Sequence, residues 1–138
     1  MEALPATELP TEPDWQYAPK WDGFRCLAIR DGTRVDLMSK AAKPLTRFFP
    51  ELVASLANLD ADKFVLDGEI VVPLDGGLSF DHLLMRIHPA ESRIQKLSRE
   101  TSAVFLVFAG KAPGGPSRWS TKRSTAMAVF NAAAFSAW

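Results

Sequence analysis

A lysine at position 20 stands in Pro19-Lys20-Trp21-Asp22-Gly23, a setting that suits an amine asked to act as a nucleophile. At a reference pKa of about 10.4 almost no lysine carries a free lone pair at neutral pH, so burial or a neighbouring cation has to expose it. Pro19 fixes its own φ and drives Ala18 towards extended backbone, so the chain delivers Lys20 from a strand end. Lys20 and Asp22 are two apart and, in extended backbone, point to one face. Gly23 has no Cβ, which allows a tight turn or close approach of a ligand to the backbone. A Lys-x-Asp-Gly string is also an ordinary surface turn, met by chance in about a few per cent of chains this long. Its weight comes from its company.

Other chemistry-bearing residues are sparser. Cys26 is the only cysteine, so no internal disulfide forms and a reducing compartment fits; its alternation with Phe24 and Ala28 marks it as core. His82 and His88 lack metal-ligand spacing with a cysteine or a nearby acid and read as helix-surface and helix-junction residues. Arg86, Arg93, Lys96 and Arg99 form a basic series that would either meet DNA phosphates or line a solvated helix face.

The elements that must position these groups follow from pattern. Residues 1–14, rich in Pro, Thr and Glu, read as a flexible leader, and Trp15 to Lys20 as a short first strand. Phe24 to Arg30 and Arg34 to Met38 alternate as strands about the hairpin signal Asp31-Gly32. Pro50 opens a helix with Leu52, Val53, Leu56 and Leu59 on its apolar face. Phe64 to Val72 is a strand interrupted by Asp67-Gly68-Glu69, and Asp75-Gly76-Gly77 is a turn. Ser79 caps a helix expected to bury Phe80, Leu83, Leu84 and Ile87. Pro89 starts another, with Ile94 and Leu97 inside, and Ala103 to Phe108 is a strand buried on both faces.

The 138 residues suffice for one domain with a core, and 47% hydrophobic against 23% charged is ordinary for a soluble protein. Net charge is zero, so composition alone gives no nucleic-acid footprint. Residues 1–100 hold all 16 acids and 12 of the 16 basic residues, whereas residues 101–138 hold four basic residues and no acid. From Ala109 the chain has eight alanines and no Leu, Ile, Asp or Glu. The switch suggests a non-homologous, disordered tail, and its abruptness suggests translation from a shifted reading frame. No secretory signal or membrane span appears, which makes a cytoplasmic location the expectation.

Together these residues resemble the catalytic, nucleotide-binding domain of ATP-dependent DNA ligases, in particular the small bacterial type related to end-joining ligases. Tyr17 to Gly32 is similar to that family's first motif and hairpin, and Lys43 to Leu52 to the segment after its second. Val65 to Val72 is similar to the third, and Gly76 to Phe108 to this subgroup. The resemblance implies an α+β fold: the N-terminal part, over 15–108, of an adenylation domain with an antiparallel sheet and packed helices. The C-terminal half and the oligonucleotide-binding barrel are missing from the match.

It further implies that Lys20 takes AMP from ATP, that AMP passes to the 5′-phosphate of nicked double-stranded DNA, and that the strand is sealed in repair or recombination. ATP and Mg²⁺ (or Mn²⁺) are the implied cofactors. Lys20, Asp22, Gly23, Arg25, Lys40, Glu69 and Phe108 would bind ATP, with Glu69 at the ribose hydroxyl or the metal and Phe108 stacked on adenine. Arg86, Arg93, Lys96 and Arg99 would touch DNA. Departures are Ala18 for a glutamate that reads adenine, Lys40 for a phosphate-contacting arginine, Ala41-Ala42 for a more polar, glycine-containing pair, and Ala109 for an acid. Because the match covers only the N-terminal part of the domain, this chain is expected to be truncated and impaired in nick sealing; the alternative is a non-catalytic remnant that binds ATP weakly at best. Half an open sheet also implies self-association through an exposed edge.

Overall fold

Residues 21–112 and the backbone of residues 128–130 are described by a computed structural model. The leader, the strand expected over 15–20, Lys20 itself, and residues 113–127 and 131–138 lie outside the described residues. Gly32 is the pivot of the first hairpin: its φ of 64° is open to glycine at no steric cost, and Gly32-Thr33 join β1 (Phe24–Asp31) to β2 (Arg34–Ser39). The loop thus starts one residue later than the Asp31-Gly32 signal suggests.

Five antiparallel strands form one sheet in the order β2-β1-β3-β6-β7, with β3 at Lys63–Val71, β6 at Val104–Lys111 and β7 at Ala128–Phe130. The Asp67-Gly68-Glu69 segment does not break β3. Its pairing with β6 slips instead: Asp67 lies opposite Ala109 and Gly68 opposite Val107, leaving Phe108 as the extra residue of a bulge. A Cβ at Gly68 would strike the Leu106 carbonyl, so this close approach requires glycine. β6 continues past Phe108 to Lys111, and Ala128–Phe130 pairs with Phe105–Val107. The change in composition at Ala109 is therefore not the end of the sheet.

A short 3-10 turn (Thr46–Phe48) leads into α1 (Pro50–Ala57), with Pro50 at its first position, where no amide donor is missed. A small hairpin follows β3, with β4 at Pro73–Leu74 and β5 at Gly77–Leu78, before α2 (Phe80–Met85) and α3 (Glu91–Glu100). The helices cover one face of the sheet. Cys26 and Ala28 of β1, Val35 and Leu37 of β2, Leu66 and Ile70 of β3, and Phe105 and Val107 of β6 pack there with Leu52, Leu56 and Leu83. Arg30 ties down the C-terminal end of α1: Nη1 donates to the Leu59 and Leu56 carbonyls at 2.6 and 3.3 Å. Burial pushes the Cys26 thiol up to about 12, as its core reading requires.

Ser79 caps α2 as expected, its Oγ accepting from the His82 amide at 3.3 Å and lying 2.7 Å from His82 Nδ1. His88 Nδ1 accepts from the Ala90 amide at 3.0 Å at the junction of α2 and α3. Ile94 and Leu97 of α3 are buried as expected. The apolar face of α2 is not: Leu83 is buried, but Phe80, Leu84 and Ile87 are exposed. Helical spacing shows which residues share a face and not whether a neighbour covers it.

Arg86 requires a correction. It does not join a DNA-facing strip, because its side chain is wholly buried. Its two terminal nitrogens donate to Glu51 Oε1 and Oε2 at 2.6 and 2.8 Å and to the carbonyls of Phe48 and Thr101 at 2.8 and 3.3 Å. Glu51 Oε1 also accepts from the Ala103 amide at 3.0 Å, and the guanidinium lies 4.9 Å from the Phe49 ring centre. The pair pins α2 to α1 and to the approach of β6. Arg93, Lys96 and Arg99 remain exposed on α3.

Candidate functional site

The face of the sheet away from the helices carries a different set of side chains. Alternation puts Arg25 and Leu27 of β1, Val65, Asp67, Glu69 and Val71 of β3, and Val104, Leu106 and Phe108 of β6 on it. Arg25 pairs in register with Glu69, and Glu69 with Leu106, forming a row across the sheet. Ser39 lies opposite Cys26, so Lys40, one residue further on, is exposed at the end of the sheet where Arg25 emerges.

Arg25 makes the strongest contacts on this face. Its Nε and Nη2 donate to Asp67 Oδ1 and Oδ2, both at 2.7 Å, a two-point match of planar groups. Its guanidinium carbon lies 5.1 Å from the centre of the Phe108 ring, within cation–π range. The Asp67 hydrogen bond and the charges of Asp67 and Glu69 raise the Arg25 pKa against the opposing effect of burial, so it is a fixed cation. Phe108 is 42% exposed. Phe108, the extra residue of the bulge, thus departs from the expectation of a strand buried on both faces over 103–108.

Towards the other end, Trp21 packs on Val71, Val104 and Leu106, and its buried indole Nε1 has no hydrogen-bond partner among the described residues. Gly23 fits here because nothing larger does. A Cβ would collide with the Ile70 carbonyl and lie 2.8 Å from Glu69 Cγ and Val71 Cγ1. The close approach at Gly23 is thus to β3 of the same chain. Asp22 is exposed. The glycine seats the chain that follows Lys20 directly against the backbone of Ile70 and the side chain of Glu69.

The structure therefore brings Gly23, Arg25, Glu69 and Phe108 together, with Lys40 and Asp22 at the rim. Lys20 lies outside the described residues, next in sequence to a tryptophan packed on this face. Arg93, Lys96 and Arg99 belong to α3, on the other side of the sheet. Asp67 was missed as a site residue. Its signal was present, since Asp67 and Glu69 are two apart in a strand and must share the face that carries Arg25.

Glu69 is a half-buried carboxylate, whereas Asp67 is committed to Arg25. Among the described residues no group of three or more His, Cys, Asp or Glu side chains could hold a metal ion. A single free carboxylate fits a magnesium ion that would take its other ligands from phosphates and water.

An α+β domain with helices on one sheet face and an Arg–carboxylate–aromatic row on the other is the class the geometry defines. The family whose description is ATP dependent DNA ligase domain matches residues 6–110, and the chain belongs to it. DNA ligase C of Mycobacterium tuberculosis is 48% identical over 108 residues, which is 78% of this chain and 30% of that protein. DNA ligase C2 of Mycolicibacterium smegmatis is 49% identical over 96 residues, 70% of this chain and 27% of its own length. The ligase domain of LigD from M. tuberculosis, solved by crystallography, is 35% identical, with a TM-score of 0.46 over 65% of this chain and 27% of that one. The chain spans about three tenths of the length of the curated relatives it matches. No helix among the described residues is long and apolar enough to cross a membrane.

Proposed function

We propose that the open face binds ATP and that Lys20 takes the adenylyl group, as the first step of sealing nicked DNA. The Nζ lone pair attacks the α-phosphorus and forms a P–N bond. The bond to pyrophosphate breaks; one proton leaves the ammonium for solvent before the attack, and a second leaves the nitrogen for solvent as the phosphoramidate forms. AMP then moves to the 5′-phosphate at a nick, and the 3′-hydroxyl displaces it. Each step is nucleotidyl or phosphoryl transfer, in which the protein aligns groups and stabilises charge.

The observation that carries this reading is the shared face of Arg25, Glu69 and Phe108, with Gly23 seated against Glu69 three residues after Lys20. Phe108 offers an aromatic platform to the adenine, and Glu69 a carboxylate to the ribose hydroxyl or a divalent ion. Lys40 brings positive charge to the phosphates, Arg25 lies near the ribose or the DNA end, and Asp22 follows Lys20 by two residues. Bound Mg²⁺ would supply phosphate charge neutralisation. Arg93, Lys96 and Arg99 offer a separate contact to DNA phosphates. Residues 15–108 act as the adenylation unit, in the cytoplasm and in DNA repair. Self-association runs through the outer edges of the sheet, and a monodisperse monomer in sedimentation would remove that element.

Incubation with α-labelled ATP and Mg²⁺ tests the whole. A covalent label that Lys20→Ala abolishes is the expected result. Soluble, folded protein that takes no label would leave a non-catalytic nucleotide binder, or none.

A further inference from the structure

Arg25 has two carboxylates within its reach on β3, and it takes the more distant in register. Glu69 is its direct partner across the β1–β3 pair, while Asp67 lies opposite Leu27. The guanidinium nevertheless bonds Asp67 through both oxygens, reaching along the diagonal. Asp67 also sits at the slip in register that makes Phe108 the extra residue of β6. The same carboxylate therefore borders the bulge that turns the ring outward and fixes the cation that lies over the ring.

We infer that Asp67 is a positioning residue for a nucleobase platform: it holds Arg25 on one face of Phe108 and away from Glu69. This rests on the reading of the open face as a nucleotide site. Two consequences follow from the geometry. The ring is backed by a planar cation and presents one face to a base. Glu69 is spared an ion pair with its register partner and keeps its carboxylate for a hydroxyl or a divalent ion. Stability does not account for the pair, since its groups are half-exposed and such ion pairs contribute little.

The sign of one substitution separates positioning from bulk charge. Asp67→Asn removes a negative charge beside a site for a polyanion, so electrostatics alone would tighten ATP binding and leave neutral adenosine unaffected. Positioning predicts the reverse. The 138-residue chain carrying Asp67→Asn should bind adenosine and ATP more weakly by a similar factor, about threefold to fivefold. Its melting temperature should fall by no more than the small loss that an exposed ion pair allows. In NMR spectra the ring-current shift of the Arg25 δ-methylene protons, present in the unsubstituted chain, should collapse in Asp67→Asn and equally in Phe108→Leu.

Arg25→Lys, which keeps the charge but not the fork, gives a second route should Asp67→Asn fail to fold. It should lose adenosine affinity to the same extent. Tighter ATP binding, or unchanged adenosine binding with an unchanged ring-current shift, overturns the inference alone. An unsubstituted chain that binds neither adenosine nor ATP overturns the nucleotide reading and this inference with it.

Discussion

Two arginine–carboxylate pairs in this molecule share a geometry and differ in almost everything else. Arg86 and Glu51 meet through both oxygens between the helices, with side chains 0% and 7% exposed. Arg25 and Asp67 meet in the same two-point fashion on the open face, with side chains 50% and 35% exposed. Both arginines also lie over a phenylalanine, at 4.9 and 5.1 Å. The inner pair is surrounded by backbone carbonyls and an amide that leave few of its polar atoms unmatched, although Arg86 Nε has no partner among the described residues. The outer pair faces solvent. The same chemistry thus serves as a strut in one place and, in the function proposed above, as a binding surface in the other, and burial decides which.

The largest expected effect lies at the strut. Glu51→Gln or Arg86→Ala removes one partner of a buried pair, and the cost should be about 3–5 kcal/mol in urea-induced unfolding. Replacing both at once, with Glu51→Leu and Arg86→Met, should recover much of that loss, because no charge is then left buried alone. A double variant less stable than either single one would show that the strut's worth lies in its hydrogen bonds to Phe48, Thr101 and Ala103, not in charge matching.

A second test addresses the covered face through Cys26. Its thiol is held neutral in the fold up to about 12, above its ordinary value of about 9. Between those two values the unfolded chain has lost a proton that the folded chain keeps. Stability is therefore full below pH 9 and falls as pH rises towards 12. Subtracting the melting curve of Cys26→Ala should flatten part of this alkaline slope. An equal slope in both proteins would place the cause in other groups.

How far sequence could go is visible in the same two regions. Strands β1, β2 and β3, the Ser79 cap and the Pro50 helix start were legible because each depends on neighbours within a few residues. Cys26 read correctly as core for the same reason. Arg86 did not, because nothing local distinguishes it from Arg93 or Arg99; its burial rests on a glutamate 35 residues earlier in the chain. The apolar face of α2 failed similarly, since Phe80 and Leu84 have the right spacing but are only partly covered, Phe80 by the edge of Phe24. On the open face, Arg25, Glu69 and Phe108 came from resemblance. Alternation alone could have added Asp67, but not the bulge that exposes Phe108.

The outer pair should behave in the opposite way from the strut. Arg25→Ala should cost about 0.2–1 kcal/mol of stability at low salt, and less as ionic strength rises. The Arg86 effect should hardly move over the same salt range, because a buried pair is little screened. If the chain takes nucleotide as proposed, Arg25→Ala should also weaken ATP binding far more than its small stability loss explains. Titration of ATP into both variants under conditions where each is folded makes the comparison.

The smallest expected effect is at the rim of the open face, where backbone and not charge sets the energy. Ala42 has a φ of 57°, a left-handed conformation in which its Cβ crowds the following carbonyl at a cost of about 1–2 kcal/mol. The turn is fixed around it: the Ala42 amide donates to the Ser39 carbonyl at 2.9 Å, and the Ser39 amide to the Lys43 carbonyl at 2.8 Å. Ala42→Gly relieves the crowding but gives the unfolded chain more freedom, which opposes the gain by about 0.4–1 kcal/mol. The net should be a stabilisation of about 0.5 kcal/mol, read as a rise in the urea midpoint at unchanged slope. Because Ala42 is exposed and lies two residues after Lys40, the same variant should leave the strut untouched, and its effect should add to that of Glu51→Gln. A lowered midpoint would mean that the loop relaxes out of this conformation in solution, and that Lys40 is not presented where the turn places it.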